Sequence, residues 1–198
     1  MNELANSTSV EQDDSIEGLM VRYVGGEMRA FERLYRVLSP RLFGYLLRLT
    51  RKRDEAEDLV QVTFSKIHRA RESYLVGAPL LPWVFAIARR SFFDLRRRAK
   101  VRPEYLSNDG VMPEPVTEED SLGNDVTDAL EQALSKLPPN YSEAIQLTKI
   151  SGLSIGEASD VLGCSKTAVK LRVHRGYKIL RKELEEYGRD LLGEEQSA

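Results

Sequence analysis

The sequence predicts an all-α protein made of two small helical domains joined by a flexible acidic linker. Helix formers (Leu, Arg, Glu and Ala) dominate the 198 residues, and apolar residues recur at helical spacing in two separate segments. Between those segments lies an acidic stretch with Pro and Gly and no helical periodicity. We place the first domain at residues 21–100, the linker at 101–125 and the second domain at 126–187. Residues 1–20 are expected to form a flexible acidic tail, and residues 188–198 a second acidic tail.

The first domain begins with two predicted helices separated by a proline. Apolar residues from Phe31 to Leu38 share one helical face, and those from Leu42 to Leu49 form a second face. Pro40 stands between them and can open a helix but not continue one. We therefore expect a break in the helix at Pro40.

Two further helices are predicted in this domain. Asp54 and Glu57 have the spacing of a capping box, which would begin the third helix. The fourth helix is "WVFAIARRSFFDLRRRAK", with Trp83, Ile87 and either Phe93 or Leu95 in the core and the arginines outside. The buried stripe expected for the third helix is Ala56, Leu59, Val60, Thr63, Phe64 and Ile67.

The second domain shows the pattern of a helix-turn-helix. Asp125 can cap a helix that Pro138 and Pro139 stop, and Tyr141 to Ile150 supplies the next helix. Ser154 and Glu157 form a capping box for a short helix, Gly163 permits a tight turn and Ser165 caps a longer basic helix. These helices and this turn are typical of a DNA-reading motif.

A helical wheel of the basic helix separates a buried face from an outward one. With Val173 at the centre of the buried face, Val169, Gly176, Leu180 and Leu184 fall on the same side. Leu171, Arg175, Lys178 and Lys182 point away from the buried face. Thr167 and His174 lie beside them, and Lys170 and Arg172 sit on the two flanks. Leu171 projects almost opposite Val173, and in a major groove its partner would be a thymine methyl group. The alternative is a solvated basic face.

The net charge of −2 conceals strong segregation of charge along the chain. Residues 89–102 hold seven cations against Asp94, and residues 166–182 hold seven cations and no acid. Residues 103–131 hold nine acids and no cation, and residues 1–18 hold five acids and no Lys or Arg. Two basic blocks set apart in this way indicate nucleic acid as a partner.

Catalysis, metal binding and membrane insertion find no support in the sequence. The two histidines, His68 and His174, are flanked by cations, and no phosphate loop, metal-spaced cluster or catalytic triad order is present. One cysteine, Cys164, excludes an internal disulfide. Without a secretory signal or an apolar run of about 20 residues, we expect a cytoplasmic protein that is not an enzyme and has no cofactor.

Two weaker surfaces lie in the first domain. The arginine block from Arg89 to Arg102 has aromatic neighbours that could stack on bases, although most such rings belong to a core. Its alternative is dipole complementarity and solubility. Glu55, Asp58 and Gln61 lie away from the apolar stripe of the third helix, either as a solvated face or as a docking surface for a basic partner.

Together these segments resemble an extracytoplasmic-function (ECF) sigma factor of the bacterial sigma-70 family. "AFERLYRVLSPRLFGYLLRLTRKRDEAEDLVQVTFSKIHRA" and "LPWVFAIARRSFFDLRRR" resemble region 2 of that family. "LSKLPPNYSEAIQLTKISGLSIGEASDVLGCSKTAVKLRVHRGYKIL" resembles region 4. The resemblance covers nearly all of residues 21–187.

The resemblance implies a subunit that gives core RNA polymerase its promoter specificity. It assigns docking on polymerase to Glu55, Asp58 and Gln61, although Val62 stands where relatives usually have an acid. For the minus-ten strand it implies Tyr74, Arg89, Arg90, Phe93, Arg96 and Arg97. For the minus-thirty-five duplex it implies Ser165, Lys166, Thr167, Lys170, Leu171, Arg172, His174, Arg175 and Lys178. Many relatives have asparagine in place of Arg90 and serine in place of Leu171.

The expected partners are core RNA polymerase, promoter DNA and an anti-sigma factor, and the free chain is expected to be a monomer. Two other readings stay open. The chain could be a sigma mimic that titrates an anti-sigma factor, although such mimics usually carry a receiver domain. It could also be an ordinary helix-turn-helix repressor, which would need no polymerase-docking helix.

Overall fold

Helices and turns make up the whole described part of the chain, which in the computed structural model comprises residues 14–101, 130 and 132–194. Side chains are described up to residue 99 in the first range and up to residue 187 in the last. The helices are α1 (Ile16–Val24), α2 (Met28–Thr50), α3 (Arg53–Ala70), α4 (Leu80–Val101), α5 (Pro139–Ile145), α6 (Ile155–Leu162) and α7 (Lys166–Glu194). The predicted linker after Val101, the Asp125 cap and the tail at 1–13 lie outside the described residues.

Helix α1 begins inside the stretch that the sequence assigned to a flexible tail. The Ser15 hydroxyl accepts a hydrogen bond from the Gly18 N–H at 3.0 Å and so caps the first turn. Leu19, Met20 and Tyr23 are buried. The expectation of a tail up to residue 20 is therefore wrong for residues 16–20, because a short apolar stripe is sufficient for burial when other helices cover it.

Helix α2 runs without interruption through Pro40, so the predicted break is wrong. Proline inside a helix removes one backbone hydrogen bond and costs about 3 kcal/mol. The same helix buries Leu38 and Leu42 on either side of the proline. Each such leucine contributes about 1.5–3 kcal/mol, so burial along one continuous face outweighs the local cost.

Helix α3 confirms the predicted buried stripe, all six residues of which are buried. Its start differs from the prediction, because Lys52 is the N-cap residue and no side chain caps the helix. Asp54 lies inside the first turn, and Glu57 forms an ion pair with Arg53 at 3.1 Å instead of a capping box. Acidic residues in the first turn still favour this end through the helix dipole.

Helix α4 has a different buried face from the one predicted. Trp83 and Ile87 are only partly buried, and Phe93 and Leu95 are exposed. The buried residues of this helix are Leu80, Val84, Phe85, Ala88, Ser91 and Phe92. The observed face differs from the predicted one because α4 packs on helices of both domains.

The second domain contains the predicted helices with small shifts in their ends. Pro139 begins α5, and a π-helical turn, Gln146–Ile150, continues it. Helices α5 and α6 both pack against α7. The backbone of α7 continues to Glu194, so the predicted end of this domain at residue 187 falls within the helix.

The two domains are in contact through one continuous apolar cluster. Helix α4 packs on α6, and α2 packs on α5 and on the π-helical turn. Phe85 of the first domain and Leu147 and Val161 of the second belong to this cluster. Helix α4 therefore has neighbours on both sides, which positions its arginines relative to the second domain.

Gly176→Ala should destabilise the second domain, whereas Gly156→Ala should not. A Cβ atom on Gly176 would lie 2.6 Å from Cδ1 of the buried Ile145. Overpacking of this kind costs about 1–3 kcal/mol, which exceeds the gain of about 1 kcal/mol from helix propensity. A Cβ atom on Gly156 would have the flexible Lys166 Cε as its nearest contact, at 3.4 Å. Urea unfolding measures both variants, and equal stabilisation by the two substitutions would contradict close packing of α5 on α7.

Candidate nucleic-acid interface

The turn between α6 and α7 has the hydrogen bonds that the sequence predicts. The Glu157 N–H donates to the Ser154 hydroxyl at 3.2 Å, and the Glu157 carboxylate accepts from the Ser154 N–H at 2.7 Å. Gly163 adopts the left-handed conformation (φ 64°), which favours glycine. The Ser165 hydroxyl then accepts from the Ala168 N–H at 3.1 Å and begins α7. The capping box, the turn and the second cap are confirmed.

The outward face of α7 lies where the helical wheel places it. Val169, Val173 and Leu180 are buried, and Leu171 is 45% exposed. The predicted register is therefore confirmed over this part of the helix. Leu184 departs from it, being 37% exposed one turn beyond the last buried leucine.

The cations of this face are exposed and available to a ligand. Within the described part of the chain, Lys170, Arg175 and Lys178 form no ion pair. Thr167 and His174 are also exposed beside them, and Arg172 is half-buried on one flank. Ser165 and Lys166 are exposed at the start of the helix, where early residues of a recognition helix reach base edges. The structure thus brings all nine predicted residues onto the first four turns of α7 and its cap.

The arginines of α4 divide into exposed and engaged side chains. Arg90 is exposed, and Arg97 is 75% exposed with an ion pair to Asp94 at 3.0 Å. Arg96 donates to the Thr50 carbonyl at 3.3 Å and lies 3.6 Å from the Glu55 carboxylate. Arg89 donates through Nε to Glu143 at 2.9 Å. Three of the four predicted arginines, Arg89, Arg96 and Arg97, are therefore paired with carboxylates within this structure.

Tyr74 does not have the surface position that base stacking requires. Its ring is 6% exposed, and its hydroxyl donates to the Ala78 carbonyl across the loop. Burial, followed by the charge of Glu17, raises the pKa of Tyr74, so the hydroxyl stays protonated and donates. Tyr74 shapes the loop between α3 and α4 and packs on Trp83 at 5.6 Å between ring centroids. Its burial does not favour base stacking, and the assignment of Tyr74 to the minus-ten strand stays a prediction.

The other aromatic candidates of α4 separate clearly by burial. Phe93 is 43% exposed, and the guanidinium of Arg89 lies 4.7 Å from its ring centroid. Phe85 and Phe92 are buried, so neither ring offers a face to a ligand. Phe93 therefore lies at the surface and not in the core.

A cavity of about 420 Å³ lies between the end of α3 and the first half of α4. Trp83 and Ile87 supply an apolar wall, and three cations stand around it. The cavity is lined by Lys66, Arg69, Ala70, Trp83, Ala86, Ile87 and Arg90. Lys66 and Arg69 were not among the predicted site residues, although their spacing of three residues places both on one side of α3. An apolar wall with cations around it suits a base and its neighbouring phosphates.

The predicted docking residues share one side of α3 but differ in how free they are. Asp58 and Gln61 are exposed. Val62, which stands where relatives usually have an acid, is 43% exposed beside them. Glu55 is 26% exposed at its side chain and is engaged by Arg96 and Lys52. The free part of this surface is therefore Asp58, Gln61 and Val62.

The described residues, 14–101, 130 and 132–194, include neither a membrane span nor a metal cluster. No helix among them is both long and apolar enough to cross a bilayer. No group of three or more His, Cys, Asp or Glu side chains among them could hold a metal ion. His68 and His174 are exposed helix positions, as expected.

Comparison with known proteins assigns both domains. The family model described as "Sigma-70 region 2" matches residues 34–102, and "Sigma-70, region 4" matches residues 127–180. Among relatives, the RNA polymerase sigma factor CarQ of Myxococcus xanthus is 37% identical over 179 residues, covering 88% of this chain and 96% of the relative. The ECF RNA polymerase sigma factor SigE of Mycolicibacterium smegmatis is 32% identical over 192 residues, covering 91% and 73%.

Solved structures agree with these matches. The sigma factor RpoE from Bartonella quintana, in complex with the anti-sigma factor NepR, has a TM-score of 0.67 and 31% identity, covering 79% of this chain and 98% of that one. CnrH in complex with the cytosolic domain of CnrY has a TM-score of 0.64 and 26% identity, covering 87% and 99%. With both regions matched in order along one chain, this protein belongs to the sigma-70 family and is an ECF RNA polymerase sigma factor.

Proposed function

We propose that this sigma factor docks on core RNA polymerase through α3, reads the minus-thirty-five duplex with α7 and holds the melted minus-ten strand against α4. The observation that carries the proposal is the outward face of α7, where exposed cations surround one exposed leucine on a correctly capped recognition helix. The proposed role is binding and positioning, without a reaction catalysed by the chain itself.

At the minus-thirty-five element, side chains divide into those that read bases and those that hold phosphates. Arg175 projects outward with Leu171, and Lys170 is exposed on one flank, so that both cations can reach base edges in the major groove. Ser165 and Lys166 stand at the N-terminus of α7, where phosphates are favoured by the helix dipole and free N–H groups. Lys178 on the outward face and Arg172 on one flank suit phosphate contacts, which position the helix without specifying sequence.

At the minus-ten element, the cavity between α3 and α4 suits one extruded base. Trp83 and Ile87 offer an apolar wall, and Lys66, Arg69 and Arg90 can hold the adjoining phosphates. Extrusion costs a few kcal/mol, which stacking and phosphate contacts must offset.

The loop before α4 offers a means of separating bases. Leu75 and Val76 are 75% and 63% exposed at its tip, and Gly77 follows with a φ of 87°. Apolar side chains at such a tip can enter between base steps and unstack them. The Tyr74 hydroxyl ties the base of the loop to Ala78, which keeps the tip in place.

In this proposal, polymerase docks on the exposed residues Asp58, Gln61 and Val62 of α3. Asp58 and Gln61 supply the polar contacts, and Val62, on the other side of Asp58, replaces a further polar contact by an apolar one. We propose in addition that an anti-sigma factor controls the chain, on the ground that the similar sigma factor RpoE is bound to the anti-sigma factor NepR. The chain would act as a monomer in the cytoplasm, where polymerase and DNA are found.

One transcription experiment tests the function. The purified chain is mixed with core RNA polymerase and a library of promoter fragments, and the run-off transcripts are sequenced. Initiation at one shared motif is the expected result. Core binding without initiation would favour a sigma mimic, and DNA binding without core binding would favour a repressor; either outcome contradicts the proposal.

Asp58→Arg should weaken binding to core polymerase about tenfold, which corresponds to about 1.4 kcal/mol. The reason is that an exposed acid on the docking surface becomes a cation facing a basic partner. Glu72→Arg is the matched control, since Glu72 is 81% exposed beyond the end of α3 and changes the net charge equally. Titration of labelled chain with core polymerase measures both. Equal weakening by the two variants would show that only overall charge matters.

Leu171→Ser should weaken binding by about fivefold at promoters with thymine at one minus-thirty-five position, since one apolar contact contributes about 1 kcal/mol. The control is chemical, because deoxyuridine lacks only the methyl group of thymidine. Replacing that single thymidine should weaken the wild type to the same extent and leave Leu171→Ser unchanged. Loss of affinity on every sequence, with no sensitivity to the methyl group, would contradict base reading by Leu171.

A further inference from the structure

The carboxylate of Glu143 joins the two domains. Its Oε1 atom accepts from the Tyr45 hydroxyl of α2 at 2.8 Å and from Nε of Arg89 on α4 at 2.9 Å. The Glu143 side chain belongs to α5 and is only 9% exposed, and that of Arg89 is 27% exposed. A single carboxylate oxygen of the second domain thus accepts hydrogen bonds from two side chains of the first domain.

Tyr45 serves this contact as a neutral donor. Burial, followed by the charge of Glu143, raises the pKa of Tyr45 well above its ordinary value. Its ring is fully buried and packs edge-on against Phe85 at 5.2 Å between centroids. The hydroxyl therefore remains protonated at neutral pH and points to the carboxylate.

A further buried polar side chain lies near this contact. Gln146 is 3% exposed beside α2, and its Oε1 atom has no hydrogen-bond partner in the structure. Its side-chain nitrogen lies 4.0 Å from the position of a Cβ on Gly44. Buried ion pairs contribute little net stability because desolvation offsets their attraction, and an unpaired buried oxygen is unfavourable. Separation of the domains would return these groups to water.

The closed arrangement is incompatible with promoter reading as proposed above. The two promoter elements lie about 25 base pairs apart, on the order of 80 Å of duplex. In this structure α4 packs directly on α6 of the helix-turn-helix. The two reading surfaces must therefore separate before both can occupy their elements.

We propose that Glu143 is an intramolecular latch that closes the second domain onto the first and withholds Arg89 from DNA until polymerase separates the domains. The inference rests on the proposed function. In the closed state the Glu143 carboxylate occupies the guanidinium of Arg89, and in the open state a phosphate of the minus-ten strand takes its place. Arg89 is then a DNA contact that becomes available only on opening.

The distance between the domains tests the latch in the isolated full-length chain. Spin labels at Glu32→Cys and Asp160→Cys, in a Cys164→Ser background, occupy exposed positions on α2 and α6. Electron–electron resonance should give one narrow distribution for the otherwise wild-type chain and a longer, broader one for Glu143→Ala. Tyr45→Phe, which keeps the ring contact and loses the hydroxyl, should shift the distribution in the same direction to a smaller extent.

The matched control is Glu183→Ala, which removes the 2.6 Å ion pair to Lys136 inside the second domain. It should leave the distance distribution unchanged. A Glu143→Ala distribution identical to the wild type, or equal broadening by Glu183→Ala, would overturn the latch. Tyr45→Phe keeps the test decisive if Glu143→Ala fails to fold.

A second readout follows Arg89 itself. Fluorescein-labelled single-stranded dT20 serves as the probe, in the absence of polymerase. If the wild type is closed about nine-tenths of the time, Glu143→Ala should bind the probe about tenfold more tightly. The slope of log affinity against log salt should steepen by about 0.7 for one added phosphate contact. Both gains should vanish in Glu143→Ala combined with Arg89→Ala, and their persistence there would overturn the role of Arg89.

These measurements separate the latch from the proposed function. Distances and dT20 binding use the chain alone and do not depend on initiation. A chain that opens on Glu143→Ala but yields no run-off transcript upholds the latch and contradicts the function. A chain that initiates normally with unchanged distances upholds the function and contradicts the latch.

Discussion

Helix α4 has to bury apolar side chains on two sides, and the properties of its arginines follow from that constraint. It contacts α3 and α2 on one side and α6 on the other, with Val84, Phe85 and Ala88 fully buried. Arginines at the edges of the buried face lie close to carboxylates of adjoining helices. Arg96 is held by Glu55 and Arg89 by Glu143, whereas Arg90 on the remaining face is exposed. Burial therefore decides which cations are free for DNA.

The contact between the domains combines a continuous apolar cluster with a buried polar centre. An entirely apolar contact would hold the domains permanently, because separation would expose all of that surface to water. A polar centre adds orientation at little net gain in stability, since its desolvation offsets its hydrogen bonds. The contact of Glu143 with Tyr45 and Arg89 thus fixes one relative placement of the domains. It adds little to the free energy needed to separate them.

Much of the fold followed from local patterns, and the errors have definite physical causes. The stripe of α3 and the turn at Gly163 were predictable because periodicity and capping act within a few residues. The break predicted at Pro40 is absent, because burial along one face of α2 outweighs the local cost of a proline inside the helix. Trp83 is only partly buried, because α4 packs on helices of both domains and buries Phe85 instead.

The candidate site was predictable only where it depends on one helix. The outward face of α7 follows from its own sequence, so Leu171 was placed correctly. The cavity between α3 and α4 and the contact of Glu143 with Arg89 join residues up to 54 positions apart. No local pattern contains that information, since it depends on how helices approach one another.

The length of α7 has a mechanical consequence. Its 29 residues form one helix, about 43 Å long at 1.5 Å per residue. The end that carries Lys170 and Leu171 is continuous with an end that extends beyond the last buried leucine, Leu180. Such a rod behaves as a lever, in which a tilt of about 5° at one end moves the other by about 4 Å. A protein that grips the distal end could therefore displace the reading end from a groove without touching the residues that read it.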